Sequence, residues 1–153
     1  MSAPAESHDA SWLLPVAAVV IVLATAAGVV LSFVFADGML VTSTSWIIFG
    51  TLLLVAASEF VMVRWVILPA QFAALADGRD ARQPAIESAI TTLIFAFSIA
   101  PAIYGVVTGI LTGWAWPPPL FGAIAFVTLL AYRSYADPQM RRLRTNARIS
   151  AAE

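Results

Sequence analysis

The chain reads as an all-α integral membrane protein, a bundle of four transmembrane helices with both termini cytoplasmic. Three observations predict this. The composition is 61% hydrophobic and 11% charged, far more apolar than a soluble domain. Apolar stretches at about residues 13–35, 46–68, 85–111 and 120–135 approach or exceed the length that spans roughly 30 Å of hydrocarbon. All the basic residues are arginines, and they fall only between residues 64 and 82 or from residue 133 onward, which the positive-inside rule reads as an orientation. These divide the chain into a polar tail (1–11), a membrane domain (12–136) and a basic tail (137–153).

Composition also narrows the function classes. There is no cysteine, which excludes disulfides, thiolate metal sites and covalent c-type haem attachment. The single histidine, His8, lies in the polar amino-terminal tail, and no metal site is expected. A formal net charge of −1 gives no reason to invoke nucleic acid. No nucleophile–base pair, phosphate loop or ligand cluster is visible, so the chain does not read as an enzyme and no cofactor is expected.

Residues 1–11 carry Glu6 and Asp9 and no basic residue. A secretory signal begins basic with a short apolar core, so the first apolar run is expected to be retained. In that run Ala24, Gly28 and Ser32 recur every four residues. Such a stripe lets a second helix approach closely in lipid, although Ala and Gly are also simply common in membrane helices. Asp37-Gly38 and the hydroxyls of Thr42, Ser43, Thr44 and Ser45 predict a turn that caps the next helix.

The second crossing holds Glu59. Counting from Trp46, it lies about 20 Å along the helix, inside the hydrocarbon. Arg64 and Trp65 follow at about 27 Å, where the helix should meet the opposite interface; there an arginine snorkels and a tryptophan joins the aromatic belt. Pro69 is expected to break or kink the helix. A hydrophilic connection with Asp77, Arg79, Asp80 and Arg82 follows.

The third crossing contains Pro101, which frees the carbonyl of Phe97, with Ser98 near enough to compensate. Gly105, Gly109 and Gly113 recur every four residues and predict a packing face. In 114–119, Trp-Ala-Trp-Pro-Pro-Pro, the tryptophans mark an interface and the prolines end the helix. The fourth crossing is expected to close at Asp137-Pro138. The tail bears Arg141, Arg142, Arg144 and Arg148, which should meet anionic lipid headgroups.

Two segments carry a resemblance. The turn at 81–84, Ala-Arg-Gln-Pro, holds Arg82, Gln83 and Pro84; later comes Ala96-Phe97-x-x-Ala100-x-x-Ile103-Tyr104-Gly105-Val106-Val107. Together they resemble the polar loop and carboxylate-bearing segment of rotary ATP synthase c subunits, the proteolipids. In that family the ion-carrying carboxylate stands five residues before the Tyr of Ile-Tyr-Gly; here that place is Ile99. The loop-to-triplet spacing is nearly one turn shorter than the family's. The resemblance implies a proteolipid-like subunit that is not a standard proton-carrying rotor, with the 82–84 turn cytoplasmic.

An intramembrane carboxyl group is a functional hypothesis by default. Glu59 could carry a proton, or it could be structural and bonded to a hydroxyl of a neighbouring helix. Arg64 is five residues on, roughly 140° around the helix, so the two do not share a face. Rise per residue places Glu59 about 10 Å from the cytoplasmic face and Ile99 about 22 Å beyond Pro84, two turns apart. Glu87, in the first turn of its helix, reads as a partner for the positive end of the helix dipole.

The leading expectation is therefore a c-subunit-like membrane subunit that packs, through Gly105, Gly109 and Gly113, into a homo- or hetero-oligomeric complex. One alternative is a small ion or proton transporter or channel that uses Glu59. Another is an accessory structural subunit of a respiratory or photosynthetic complex. The expected partners are the lipid bilayer and other membrane subunits or further copies, and the expected location is a bacterial inner (plasma) membrane.

Overall fold

The computed structural model describes residues 13–35, 42–77 and 83–150. They form α1 (Leu13–Val34), α2 (Thr42–Met62), a π-helical turn (Val63–Ile67), α3 (Leu68–Asp77), α4 (Gln83–Thr112) and α5 (Pro117–Ser150). Helices α2 and α3 run on through the π turn, so the described residues contain four rods long and apolar enough to cross a membrane. The protein is an all-α four-helix integral membrane protein. Helix α4 is central, packed broadly on α5 and α1, with α2 against its other side.

One face of each rod is sealed. Ala17, Ile21 and Ser32 on α1, Ile90, Ile94, Ser98, Ala102 and Thr108 on α4, and Phe121, Ala125, Leu129, Tyr132 and Ala136 on α5 are buried. Their three- and four-residue spacing is that of one helical face. The opposite faces are apolar and open: Phe33, Ile47, Leu54 and Val127 are each more than 60% exposed. In water that surface would drive association; in a bilayer it meets hydrocarbon, while intrahelical bonds satisfy the backbone.

The tightest contact surrounds Pro118 in the first turn of α5. A Cβ placed at Gly28 of α1 would lie 2.9 Å from Pro118 Cβ, and one at Gly109 of α4 would lie 2.9 Å from Pro118 Cγ. One at Gly105 would lie 2.8 Å from Phe121 Cβ. A fourth glycine, Gly122, faces Thr25 of α1, which would collide with any side chain there. The absence of side chains thus lets three backbones converge on one proline ring, the van der Waals contact that drives helix association in lipid. Ala24 is half-buried against the apolar core.

Gly113 does not belong to that face. It stands beyond the end of α4 with φ 70° and donates its N–H to Gly109 O at 2.9 Å. This left-handed position terminates the helix and favours glycine. Thr112 Oγ1 then accepts the Trp114 N–H at 3.2 Å and turns the chain toward α5.

Prolines account for most differences from the expected boundaries. Helix α5 starts at Pro117, not near residue 120, because a first-turn residue has no intrahelical partner for its N–H and loses nothing by being proline. It also runs through Pro138 to Ser150 rather than closing at Asp137-Pro138. Pro138 and Ser134 are exposed, so solvent can reach the Ser134 carbonyl that the proline frees. Pro69 does not end the second rod. The turn before it widens, with the Leu68 N–H bonded to Val63 O, and such a π turn is a way for a helix to absorb a local mismatch. At Pro101 the expected help from Ser98 is not given: Ser98 Oγ is buried without a hydrogen-bond partner.

Helix α2 begins at Thr42, so Thr42 to Ser45 form its first turn instead of a preceding cap, and Ser45 is buried. His8, Asp37, Arg79, Asp80 and Arg82 lie outside the described residues. Gln83 and Pro84 open α4, and the backbone at Arg144 and Arg148 continues α5. Arg141 and Arg142 are exposed.

Candidate functional site

Helix α2 bears Glu59, and the π turn that follows bears Arg64. The chain has three tyrosines, and two of them contact these two charged residues. Tyr104 of α4 donates its hydroxyl to Glu59 Oε1 at 2.5 Å. Tyr132 of α5 stacks on Phe60 with centroids 5.6 Å apart and planes at 13°. Tyr135, one turn on, lies under the Arg64 guanidinium, 3.9 Å from Cζ to the ring centroid.

The short Tyr104–Glu59 bond bridges α2 and α4 and satisfies one carboxyl oxygen. The other, Glu59 Oε2, is buried and has no hydrogen-bond partner. The Tyr132 hydroxyl and Ser98 Oγ are buried and unpartnered as well. Each such group costs about 1–3 kcal/mol relative to a bonded one. Three polar atoms on three helices, α2, α4 and α5, therefore have unused bonding capacity in the interior. A carboxyl group can accept or donate there according to its protonation, and a phenol or a serine hydroxyl can do both.

Rise-per-residue counting put Glu59 and Ile99 two turns apart, and the structure pairs Glu59 with Tyr104 rather than with the residue at the Ile99 position. Glu59 reaches Tyr104, five residues beyond Ile99, while Ile99 itself is packed into the core. Helix α4 has 30 residues, about 45 Å, longer than the hydrocarbon is thick.

Arg64 does not pair with Glu59. The ion pair formed among the described residues is Arg133–Asp137, at 3.1 Å on the exposed face of α5. Arg64 instead lies over Tyr135 and 5.3 Å from the Trp65 ring centroid. Glu87 is half-buried near the start of α4, and its backbone carbonyl accepts from Thr91 Oγ1 at 2.9 Å.

At the opposite end an aromatic clasp ties α2 to the α4–α5 turn. Trp46 lies 4.8 Å from Trp114, and Phe49 lies 4.8 Å from Trp116. Trp114 and Trp116 stack at 5.7 Å and 19°. Such ring pairs fasten helices together, and tryptophans so clustered suit a membrane interface. Among the described residues, no three His, Cys, Asp or Glu side chains gather where they could hold a metal ion.

The tyrosines are what sequence reasoning missed. The available signal was their placement: a polar-tipped aromatic deep in an apolar run needs a partner for its hydroxyl. Gly105, Gly109 and Gly28 lie where a small-residue face was expected, but their partner is Pro118 of the same chain.

No protein family, curated protein or solved structure matches the chain. The fold and the site thus define a class, a four-helix integral membrane protein with a carboxyl group held between helices.

Proposed function

We propose that this chain binds and releases a proton at Glu59 inside the bilayer, as a small proton-transporting protein or as the proton-handling subunit of a larger membrane complex. The observation that supports this is the half-satisfied carboxyl group. Oε1 is fixed by Tyr104, while Oε2 is buried and has no hydrogen-bond partner. A purely structural glutamate would have both oxygens satisfied, because each orphan is costly in hydrocarbon. Fixing one oxygen holds the group in place, and the other remains able to exchange.

The c-subunit resemblance is compatible with this reading through Tyr104. The family's carboxylate position is an isoleucine here, but a carboxyl group from α2 meets the tyrosine of the same triplet. Packing into an oligomer would use a face other than the glycine ladder, since Gly105 and Gly109 are covered by Pro118 and Phe121.

The test is proton uptake into liposomes that carry the purified protein and a trapped pH-sensitive dye. Glu59→Gln preserves size and the bond from Tyr104 but cannot exchange a proton, so flux should fall to that of empty liposomes. Wild-type flux in the variant ends the proposal.

A further inference from the structure

Arg64 carries a feature that proton handling does not use. The π turn bears its guanidinium over the Tyr135 ring, with Cζ 3.9 Å from the ring centroid, and beside Trp65 at 5.3 Å. Cation–π contact of this kind fixes the plane of the group and shields its face, while the N–H donors at its edge stay available. Among the described residues no carboxylate forms an ion pair with it, and Glu59 is engaged by Tyr104. A fixed, partly desolvated cation without an acidic partner calls for an anion.

Depth and surroundings say which anion. Arg64 stands eighteen residues after Trp46, about 27 Å along the rod, at the level where the hydrocarbon gives way to headgroups. The neighbouring surface of the same rod is apolar and open: Val61, Met62, Trp65 and Val66 are 54%, 48%, 68% and 61% exposed. A phosphate at this level, with hydrocarbon continuing beside it, is that of a phospholipid.

We propose that Arg64, braced by Tyr135, is a binding site for the phosphate of an anionic glycerophospholipid from the adjacent leaflet, whose acyl chains run along the open face of α2. The guanidinium donates two parallel N–H bonds to phosphate oxygens. Tyr135 holds the guanidinium plane and makes no claim on the lipid itself. The site is local and stoichiometric, distinct from the diffuse attraction of the exposed Arg141 and Arg142.

Native mass spectrometry of the delipidated full-length protein, titrated with phosphatidylglycerol or phosphatidylcholine, tests this. The first phosphatidylglycerol should bind about tenfold more weakly to R64Q than to wild type, the loss of roughly one charge-assisted pair. Tyr135→Leu should weaken it comparably. R64K should also lose most of the affinity, because an ammonium cannot stack or fork. The double variant R141Q/R142Q should leave the first binding event unchanged. Glycerol phosphate at the same concentration should not raise the melting midpoint, whereas phosphatidylglycerol should.

Equal binding of phosphatidylcholine, wild-type affinity in R64Q, or loss of the first lipid in R141Q/R142Q overturns the proposal. Equal protection by glycerol phosphate overturns it too, by making this a site for free phosphate. If R64Q does not fold, R64K decides alone: affinity within about twofold of wild type contradicts the requirement for a planar fork.

Discussion

Glu59 of α2 and Tyr104 of α4 are joined across 45 positions of sequence by a 2.5 Å hydrogen bond. It bridges two rods that otherwise meet less broadly than α4 meets α1 and α5. Removing the phenol leaves a buried carboxyl group with neither oxygen satisfied. Tyr104→Phe should therefore lower stability by about 1–3 kcal/mol, read as a lower thermal midpoint in detergent. Glu59→Gln keeps an acceptor for Tyr104 and should cost clearly less. Equal losses in the two variants would mean that the bond contributes little.

The junction at Pro118 gives a second prediction. The nearest heavy atoms to a Cβ at Gly109 are 2.9 and 3.3 Å away, the second being the backbone oxygen of Gly28. Backbone cannot yield as a flexible side chain can. Gly109→Ala should destabilise the monomer by about 1–3 kcal/mol, and Gly109→Leu should prevent folding. Gly50 has nothing within 4 Å of its would-be Cβ, so Gly50→Ala is the control and should be neutral or slightly stabilising. Unchanged melting of Gly109→Ala would contradict the packing described.

The aromatic clasp makes a third. Trp46 contacts Phe49, Trp114 and Trp116, and Trp46→Ala removes every ring pair that joins the first turn of α2 to the α4–α5 turn through this residue. Each pair contributes about 0.5–1.5 kcal/mol beyond its buried area. Faster hydrogen exchange in the first turns of α2, with α4 and α5 unaffected, is the expected signature; uniform exchange would show that the clasp is not local.

Orientation is testable because the chain has no cysteine. Single cysteines at Ala115, in the turn before α5, and at Arg142, exposed in the arginine-bearing C-terminal part of α5, should label from opposite sides of a sealed membrane. The positive-inside rule assigns Arg142 to the cytoplasm. A membrane-impermeant maleimide added outside intact cells should modify the cysteine at 115 and spare that at 142; the reverse pattern inverts the topology.

The architecture was legible because the bilayer sets one length scale, and the apolar runs around Ile21, Leu53, Phe97 and Phe126 meet it. The prolines were not, because their effect depends on context. Pro117 and Pro118 open a helix, Pro69 is absorbed by the π turn, and Pro138 lies where solvent can serve a freed carbonyl. Gly113 shared the four-residue spacing of Gly105 and Gly109, but its positive φ made it a terminator. Glu59 stood out as a lone carboxyl group in an apolar run. Its tyrosine partner did not, since helix-to-helix pairing is decided by tilt and stagger that no local pattern records.

Reaction of the protein in membranes with a hydrophobic carbodiimide, followed by peptide mass spectrometry and proton-flux measurement on the same sample, tests the central role of Glu59 most directly. The account predicts an adduct on Glu59 and flux that falls in step with modification. An unmodified Glu59, or full flux through protein modified there, would contradict it.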